Sequence, residues 1–273
     1  MTNTTRLEPP PKVKRQQWLN RALWLGLGLV LFWATFGTEL SPQRLVTGLG
    51  NSWAFVFGSP ERPGSGFFPP DTKRLPEYLH EMIITIKMAM WGTVLATLAA
   101  VPLSILAARN TSPHPIIYQV TRRSLDFIRG LNEFVLALIF VAAVGLGPFP
   151  GILALAVGTA GVLAKLISEG IEVVDPGQVE AVRATGAKGL QVFTHGIWPQ
   201  VVPHTVSMIL YRFESNVRSA TVLGLVGAGG IGLYVTESIR SFNFKAGCTV
   251  IIVILISVFI VDFISAQVRK RLV

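Results

Sequence analysis

Charged residues and cysteine are both scarce in this sequence. Asp, Glu, Lys and Arg make up 14% of the 273 residues, whereas hydrophobic residues make up 51%. Soluble domains carry about 25% charged residues, so the composition excludes an ordinary soluble protein and predicts one embedded in a lipid bilayer. The single cysteine, Cys248, excludes an intrachain disulfide and gives no sign of a redox role.

The residue patterns of most enzymes and metal proteins are also missing. The four histidines lack the spacing typical of metal ligands; they are His80, His114, His195 and His204. The sequence has no GxxxxGK[ST] motif, so we do not expect the chain to hydrolyse ATP. It also has no plausible Ser/His/Asp set or pair of catalytic carboxylates. We therefore predict no catalytic residue, no metal and no cofactor on this chain.

One glycine pattern matches a nucleotide-binding motif in spacing alone. Gly227, Gly229 and Gly232 fit GxGxxG, but an apolar run of helical length precedes them where the motif requires a strand. Glycines at this density instead predict a bent, closely packed backbone or contact with a second copy of the chain.

Long apolar runs predict an all-α integral membrane protein with about six transmembrane helices. We divide the chain into a tail at 1–17, a first span at 18–40, a long loop at 41–78 and a core at 79–273. The six predicted spans are Trp18–Leu40, Leu79–Ala107, Leu125–Gly147, Ile152–Ile171, Val201–Val226 and Thr249–Ala266.

Basic residues predict the orientation of these spans. The net charge of +9 comes largely from residues that flank apolar runs, so we read it as an orientation signal and expect no nucleic-acid partner. Lys and Arg are most frequent in the N-terminal tail, in 108–124, in 175–199 and at the C-terminus. Both termini and 175–199 are therefore predicted in the cytoplasm, and the 41–78 loop in the periplasm.

A moderately polar segment, Asp175–Pro199, separates the fourth and fifth predicted spans. Asp175 suits a helix N-cap, Pro176 suits the first turn, and Gln178 stands where the second half of a capping box belongs. The segment therefore predicts a short helix from Pro176 to about Thr185.

The rest of this segment predicts an ion pair and a sharp turn. Glu180 and Arg183 are three residues apart on the predicted helix, close enough to pair. Gly186 can adopt a positive φ, so we expect the chain to turn there into a second short helix that ends at Trp198-Pro199.

Polar side chains interrupt the predicted fifth span. A charge at the bilayer centre costs about 2.5–3.5 kcal/mol, so such residues normally face protein or water. Glu214 and Arg218 are four residues apart and predict an ion pair. Two interpretations stay open, a buried structural network or arginines that line a path and attract an anion. The candidate path residues are Arg212, Glu214, Asn216, Arg218 and, from an earlier span, Asn132.

The polar segment resembles the EAA loop of permease subunits of bacterial ABC importers, which runs EAA-x3-G-x9-I-x-L-P. The positions that match are Glu180, Ala181, Gly186 and Pro199. The positions that differ are Val182, Gly196 and Trp198. The resemblance implies that this helix docks on a separate ATPase through Glu180, Ala181, Val182, Arg183 and Gly186.

Three further motifs resemble the permease of phosphonate ABC importers in particular. They are FFPPD at 67–71, RGLNE at 129–133 and RFESNVRSAT at 212–221, and the likeness covers 65–273. It implies a multi-pass protein of the bacterial inner membrane with the type I importer fold. The implied partners are a second permease copy in a homodimer, two ATPase subunits that use ATP and Mg, and a periplasmic substrate-binding protein.

Two alternatives stay open at this point. The same class of transporter could carry phosphite, phosphate or another small solute, because the polar residues do not distinguish these cargoes. A channel or secondary transporter that works without ATP is the alternative of a different class.

Overall fold

The computed structural model describes residues 11–37, 42–58 and 66–272, and every regular element in these ranges is helical. The chain divides into two compact units, 1–63 and 64–273. The described residues leave out 1–10 of the predicted tail, 38–41 at the junction of the predicted first span and long loop, and 59–65 within that loop.

The first unit contains helices α1, Pro11–Gly37, and α2, Pro42–Phe57. The prediction of a loop throughout 41–78 is therefore wrong for the part that forms α2. Val46, Leu49 and Trp53 explain the helix, since spacings of three and four residues place them along one face.

The second unit holds nine α-helices in its described part. They are α3 (Leu75–Ala107), α4 (Pro115–Gly130), α5 (Glu133–Val144), α6 (Pro148–Glu172), α7 (Pro176–Ala184), α8 (Gly189–Val192), α9 (Trp198–Leu223), α10 (Gly232–Arg240) and α11 (Phe244–Leu272). A π-helical turn at Phe193–Ile197 joins α8 to α9, and a 3-10 turn at Gly224–Val226 follows α9.

Three of the described helices, α3, α6 and α11, are long and apolar enough to cross a membrane. The pair α4–α5 makes a fourth if it counts as one span. The other two of the six predicted spans correspond to α1 and α9, which have 27 and 26 residues and are not among the helices identified as spans in the described residues. Crossing by these two helices stays a prediction.

The third predicted span, Leu125–Gly147, is not one continuous helix. Instead α4 and α5 meet at an angle of 89°. Leu131 is extended, and the side chain of Asn132 accepts a hydrogen bond from the backbone N–H of Phe134 at 2.8 Å. Because this bond satisfies a free N–H at a helix start, it favours a new helix over continuation of the old one.

Helix α6 is the centre of the second unit. In the most apolar stretch of α6, 61% of the residues are buried, against 33% in the corresponding stretches of α3 and α11. Helix α6 packs on α3, α4, α5 and α9. Small residues permit this close approach: a Cβ at Gly92 would lie 2.7 Å from Leu155, and one at Gly161 would lie 2.7 Å from Ile128.

The glycine-rich loop between α9 and α10 is closely packed, as its sequence predicts. Gly227 has a φ of +88° and accepts a hydrogen bond on its carbonyl from the N–H of Gly147 at 3.0 Å. The N–H of Ile231 donates to the hydroxyl of Thr85 at 2.9 Å. Side chains at these glycines would collide with the start of α6 and with α3, so the sequence pattern serves packing between helices.

Candidate functional site

Helix α7 confirms the predicted short helix in the polar segment. The carboxylate of Asp175 accepts the N–H of Gly177 at 2.9 Å, which caps the first turn. The predicted capping box with Gln178 is wrong, because Gln200 from α9 accepts the N–H of Asp175 at 3.0 Å instead. A contact from another helix has replaced the local one, and it ties α7 to the start of α9.

The chain turns after α7 at Gly186, as predicted. Gly186 has a φ of +82° and donates its N–H to the carbonyl of Arg183 at 3.0 Å. The second helix does not end at Trp198-Pro199; α8 continues through the π-helical turn directly into α9. The amide of Gln200 donates to the carbonyl of Gly196 at 2.6 Å and supports this continuation.

One face of α7 is buried and the other is free. Val179 is buried and packs with Ile197 and Val201 in the apolar cluster at this end of α6. Glu180, Ala181, Arg183 and Gly186 are exposed, and Val182 is half-buried. Glu180 and Arg183 make no ion pair in the described chain, so that prediction is wrong, and both charges stay available. The predicted coupling residues therefore form a surface on a firmly anchored helix.

A network behind α7 fixes the end of α6. The carboxylate of Glu172 accepts hydrogen bonds from the guanidinium of Arg122 and the N–H of Arg109, both at 2.8 Å. Asn110 donates to the carbonyl of Ile171 at 2.7 Å. Sequence reasoning missed this network, because its members are about fifty residues or more apart and no local pattern joins them.

Four of the arginines and acids in α9 and α11 pair with one another. The guanidinium of Arg218 contacts Glu214 at 2.9 Å and Asp262 at 3.0 Å. Arg269 contacts the other oxygen of Glu214 at 3.2 Å. The predicted pair of Glu214 and Arg218 is thus confirmed, and a charge network joins α9 to α11.

Asn216 lies in the core between helices. Its amide donates to the hydroxyl of Thr93 in α3 and its carbonyl oxygen accepts from Thr159 in α6, both at 2.8 Å. Asn216 and Thr159 are fully buried. The structure therefore gives Asn216 a bridging place among three helices.

A cavity of about 480 Å³ opens beside α5, α6 and α9. Three of the candidate path residues, Asn132, Arg212 and Arg218, line it, whereas Glu214 and Asn216 do not. At its wall Arg212 contacts Glu133 at 2.8 Å, with side chains 13% and 19% exposed. The polar residues that line the cavity are Arg129, Asn132, Glu133, Arg212, Arg218 and Ser219.

A separate cluster lies at the start of α3. Arg74 contacts Glu77 at 2.8 Å and Glu237 at 3.4 Å, and its guanidinium lies 5.4 Å from the ring centre of Tyr234. The hydrogen bond that Arg74 donates to the carboxylate of Glu77 raises the pKa of Arg74 above its ordinary value, so the arginine stays charged. These contacts fix the segment before α3 to α10.

No group of three or more His, Cys, Asp or Glu in the described ranges could hold a metal ion.

Comparison with known proteins places this architecture in a family. Residues 100–273 match the family described as the binding-protein-dependent transport system inner membrane component. The chain is 41% identical over 236 residues to HtxC of Stutzerimonas stutzeri, which is provisionally named a phosphite transport system permease protein; the match covers 86% of this chain and 81% of HtxC.

A second relative and a solved structure agree with this match. The chain is 51% identical over 121 residues to PhnE2 of Escherichia coli K12, provisionally named a cryptic phosphonate transport system permease protein; the match covers 44% of this chain and 99% of PhnE2. Its fold matches the methionine ABC transporter MetNI in an inward-facing conformation with a TM-score of 0.66 at 20% identity, over 74% of this chain and 100% of that chain.

The chain therefore belongs to the family of binding-protein-dependent inner-membrane transport components, and it is the permease subunit of an ABC importer with the type I fold. Within that family its sequence is similar to permeases named for phosphite and phosphonate transport.

Proposed function

We propose that this permease carries small phosphorus oxyanions into the cell, with phosphonates as the first candidate cargo. Its sequence similarity to HtxC and PhnE2 carries the proposal. The cavity agrees with it, because arginines outnumber carboxylates along the wall and would attract an anion. Phosphite is the second candidate, favoured by the identity to HtxC over most of both chains.

Energy would reach this permease through α7. In our proposal the exposed Glu180, Ala181, Arg183 and Gly186, with Val182 at their edge, dock on an ATPase subunit in the cytoplasm. Closure of the ATPase dimer on ATP and Mg would then displace α7. Anchoring by Val179 and by the bond from Asp175 to Gln200 supports transmission of this displacement into α6 and α9.

The complete importer would contain several chains. We propose two copies of this permease as a homodimer, two ATPase subunits and a periplasmic binding protein that delivers the cargo. Both termini and α7 would face the cytoplasm, in agreement with the distribution of basic residues.

Reconstitution tests the proposed function. The complex is purified through a tag on this chain, and the ATPase subunit is expected to co-purify. In proteoliposomes with the binding protein, methylphosphonate, phosphite and phosphate are offered separately with and without ATP. ATP-dependent uptake of at least one of them is expected. Uptake without ATPase, or no uptake of any of the three under conditions where ATP is hydrolysed, contradicts the proposal.

A further inference from the structure

We propose that the cavity beside α5, α6 and α9 contains a direct binding subsite for a tetrahedral phosphorus oxyanion, with Arg129 and Arg212 as its charged contacts. This inference rests on the proposed function and adds to it the place where cargo touches the permease. Phosphonate, phosphite and phosphate share the chemistry concerned, which is a compact anion with several acceptor oxygens.

Arg129 supplies a positive charge that no described carboxylate binds directly, because the nearby Asp126, which it attracts electrostatically, is bound by Lys165 at 2.7 Å. It stands in the last turn of α4, is exposed, and makes no hydrogen bond or ion pair with any described residue. The sharp bend between α4 and α5 follows directly and brings Arg129 to the wall of the cavity. A free guanidinium is suited to bind phosphorus oxyanions through two parallel hydrogen bonds.

Arg212 supplies donors from the opposite wall. One of its terminal nitrogens contacts Glu133, but its Nε is buried and has no acceptor. Buried donors are nearly always paired in folded proteins, so the unpaired Nε indicates an acceptor that the described chain does not supply. In our proposal Arg212 turns toward the cavity when an anion arrives, and an anion oxygen becomes that acceptor.

Neutral donors complete the lining. The amide nitrogen of Asn132 and the hydroxyl of Ser219 both line the cavity and are unused in the described chain, since Asn132 employs only its oxygen to cap α5. Arg218 also lines the wall, but Glu214 and Asp262 already neutralise it. Among the remaining polar lining residues, Arg129, Asn132, Arg212 and Ser219 carry donors, and Glu133 is the one carboxylate.

Glu133 explains how binding can be weak enough for release. It occupies part of the guanidinium of Arg212 when no cargo is present, so an arriving anion competes with it. Gly158 leaves room for this arrangement, because a Cβ there would lie 2.9 Å from the side chain of Glu133. Arg212 lies near the middle of α9, and the side chain of Glu133 lies beside Gly158 near the middle of α6, at a depth where a carrier must bind and then let go.

Phosphorus-31 NMR measures this subsite in the whole complex. The permease–ATPase complex in lipid nanodiscs, without the binding protein, is titrated in separate arms with methylphosphonate, phosphite and phosphate, and line broadening reports binding. Wild type is expected to broaden at least one resonance. Arg129→Gln is expected to raise the Kd about tenfold through loss of a charge-assisted contact. Glu133→Gln is expected to lower the Kd, because it removes the competing carboxylate while keeping the side-chain shape.

Arg123→Gln is the matched control. Arg123 lies on the same helix with a side chain 81% exposed, reaches only Asp126 at 4.0 Å and does not line the cavity. Equal Kd values for Arg129→Gln, Arg123→Gln and wild type overturn the inference, as does an unchanged or raised Kd for Glu133→Gln. A wild type that imports these anions with ATP yet shows no broadening overturns the subsite alone, whereas failure of import overturns the proposed function.

Discussion

Polar residues of the same type have different roles in this membrane domain. Asn216 and Asn132 are both amides close to the same cavity, yet Asn216 is buried with both ends bonded and Asn132 caps a helix with a free donor. Glu214 and Glu133 differ in the same way, one held by two arginines and the other facing a cavity. The partners of each residue decide whether it supports the fold or can meet cargo.

Asn216→Leu is expected to destabilise the protein because Thr93 and Thr159 would each lose a buried hydrogen-bond partner. The cost of such a loss is about 1–3 kcal/mol. Thermal unfolding in detergent is expected to show a lower Tm. Gln119→Leu removes an exposed amide that has no hydrogen bond in the described chain and serves as the control. Equal Tm values for the two variants would refute the bridging role.

Gly186→Leu is expected to abolish uptake while leaving the protein in the membrane. A leucine at a φ of +82° is strained by about 1–2 kcal/mol, and relief of that strain would reorient α7 relative to α8. Gly189→Leu is the matched control, because both sites have open space around an added Cβ but Gly189 has an ordinary φ. ATP-driven uptake in proteoliposomes distinguishes them, and full activity of Gly186→Leu would count against a role for this turn.

At the level of elements, hydrogen bonds join the segment where α6 ends and α7 begins to two other parts of the chain. Gln200 accepts the N–H of Asp175 and attaches the start of α7 to α9, and Glu172 attaches the end of α6 to Arg109 and Arg122. In the proposed mechanism a displacement of α7 would reach α9 through Gln200, and α4 through the end of α6.

Arg122→Gln is expected to loosen the segment between α3 and α4. Glu172 would lose its ion pair with Arg122, which measures 2.8 Å. Because the carboxylate of Glu172 also accepts the backbone N–H of Arg109, that N–H would then exchange its hydrogen faster. Hydrogen exchange read by mass spectrometry over 108–114 measures the effect. Arg123→Gln, one residue along, is expected to leave that exchange unchanged. The same protection in both variants would show that the pair does not hold the segment.

Local patterns predicted the elements that local bonds create, and they missed those that distant residues create. Asp175 and Gly186 marked α7 correctly, and four-residue spacing gave the pair of Glu214 and Arg218. The sequence also contained the signal for the break after α4, since Asn132 followed by Glu133 is a helix start, but the apolar run masked it. Gln200 replaced Gln178 because tertiary contact outweighs a local cap.

The cavity illustrates the same limit. Arg212 stood out as a charge within an apolar run, but nothing local indicated that Arg129, from a helix that ends about eighty residues earlier, would share its cavity. Only the bend of 89° and the packing of α6 against α5 and α9 bring the two arginines to one cavity. A charged residue within an apolar segment is a candidate site residue, and the fold decides which of these candidates lie together.

For the molecule as a whole, orientation in the membrane is the prediction on which coupling depends. Cys248 is the natural cysteine and is buried, so Cys248→Ser gives a background for labelling. In that background Lys188→Cys is expected to react with a membrane-impermeant maleimide only after cells are opened, whereas Lys73→Cys is expected to react in intact cells from which the outer membrane has been removed. Both positions are exposed. The reverse pattern would place α7 on the wrong side for an ATPase.

The π-helical turn at Phe193–Ile197 determines the direction in which each side chain of α9 faces. A π turn accommodates one residue more than an α turn, and each residue advances an α-helix by about 100°. Deletion of Thr194, an exposed residue of this turn, would restore ordinary winding and swing Arg212 away from its wall by roughly a quarter of a revolution or more. The extra residue therefore keeps the guanidinium of Arg212 directed at Glu133 while α7 stands where, in our proposal, it meets the ATPase.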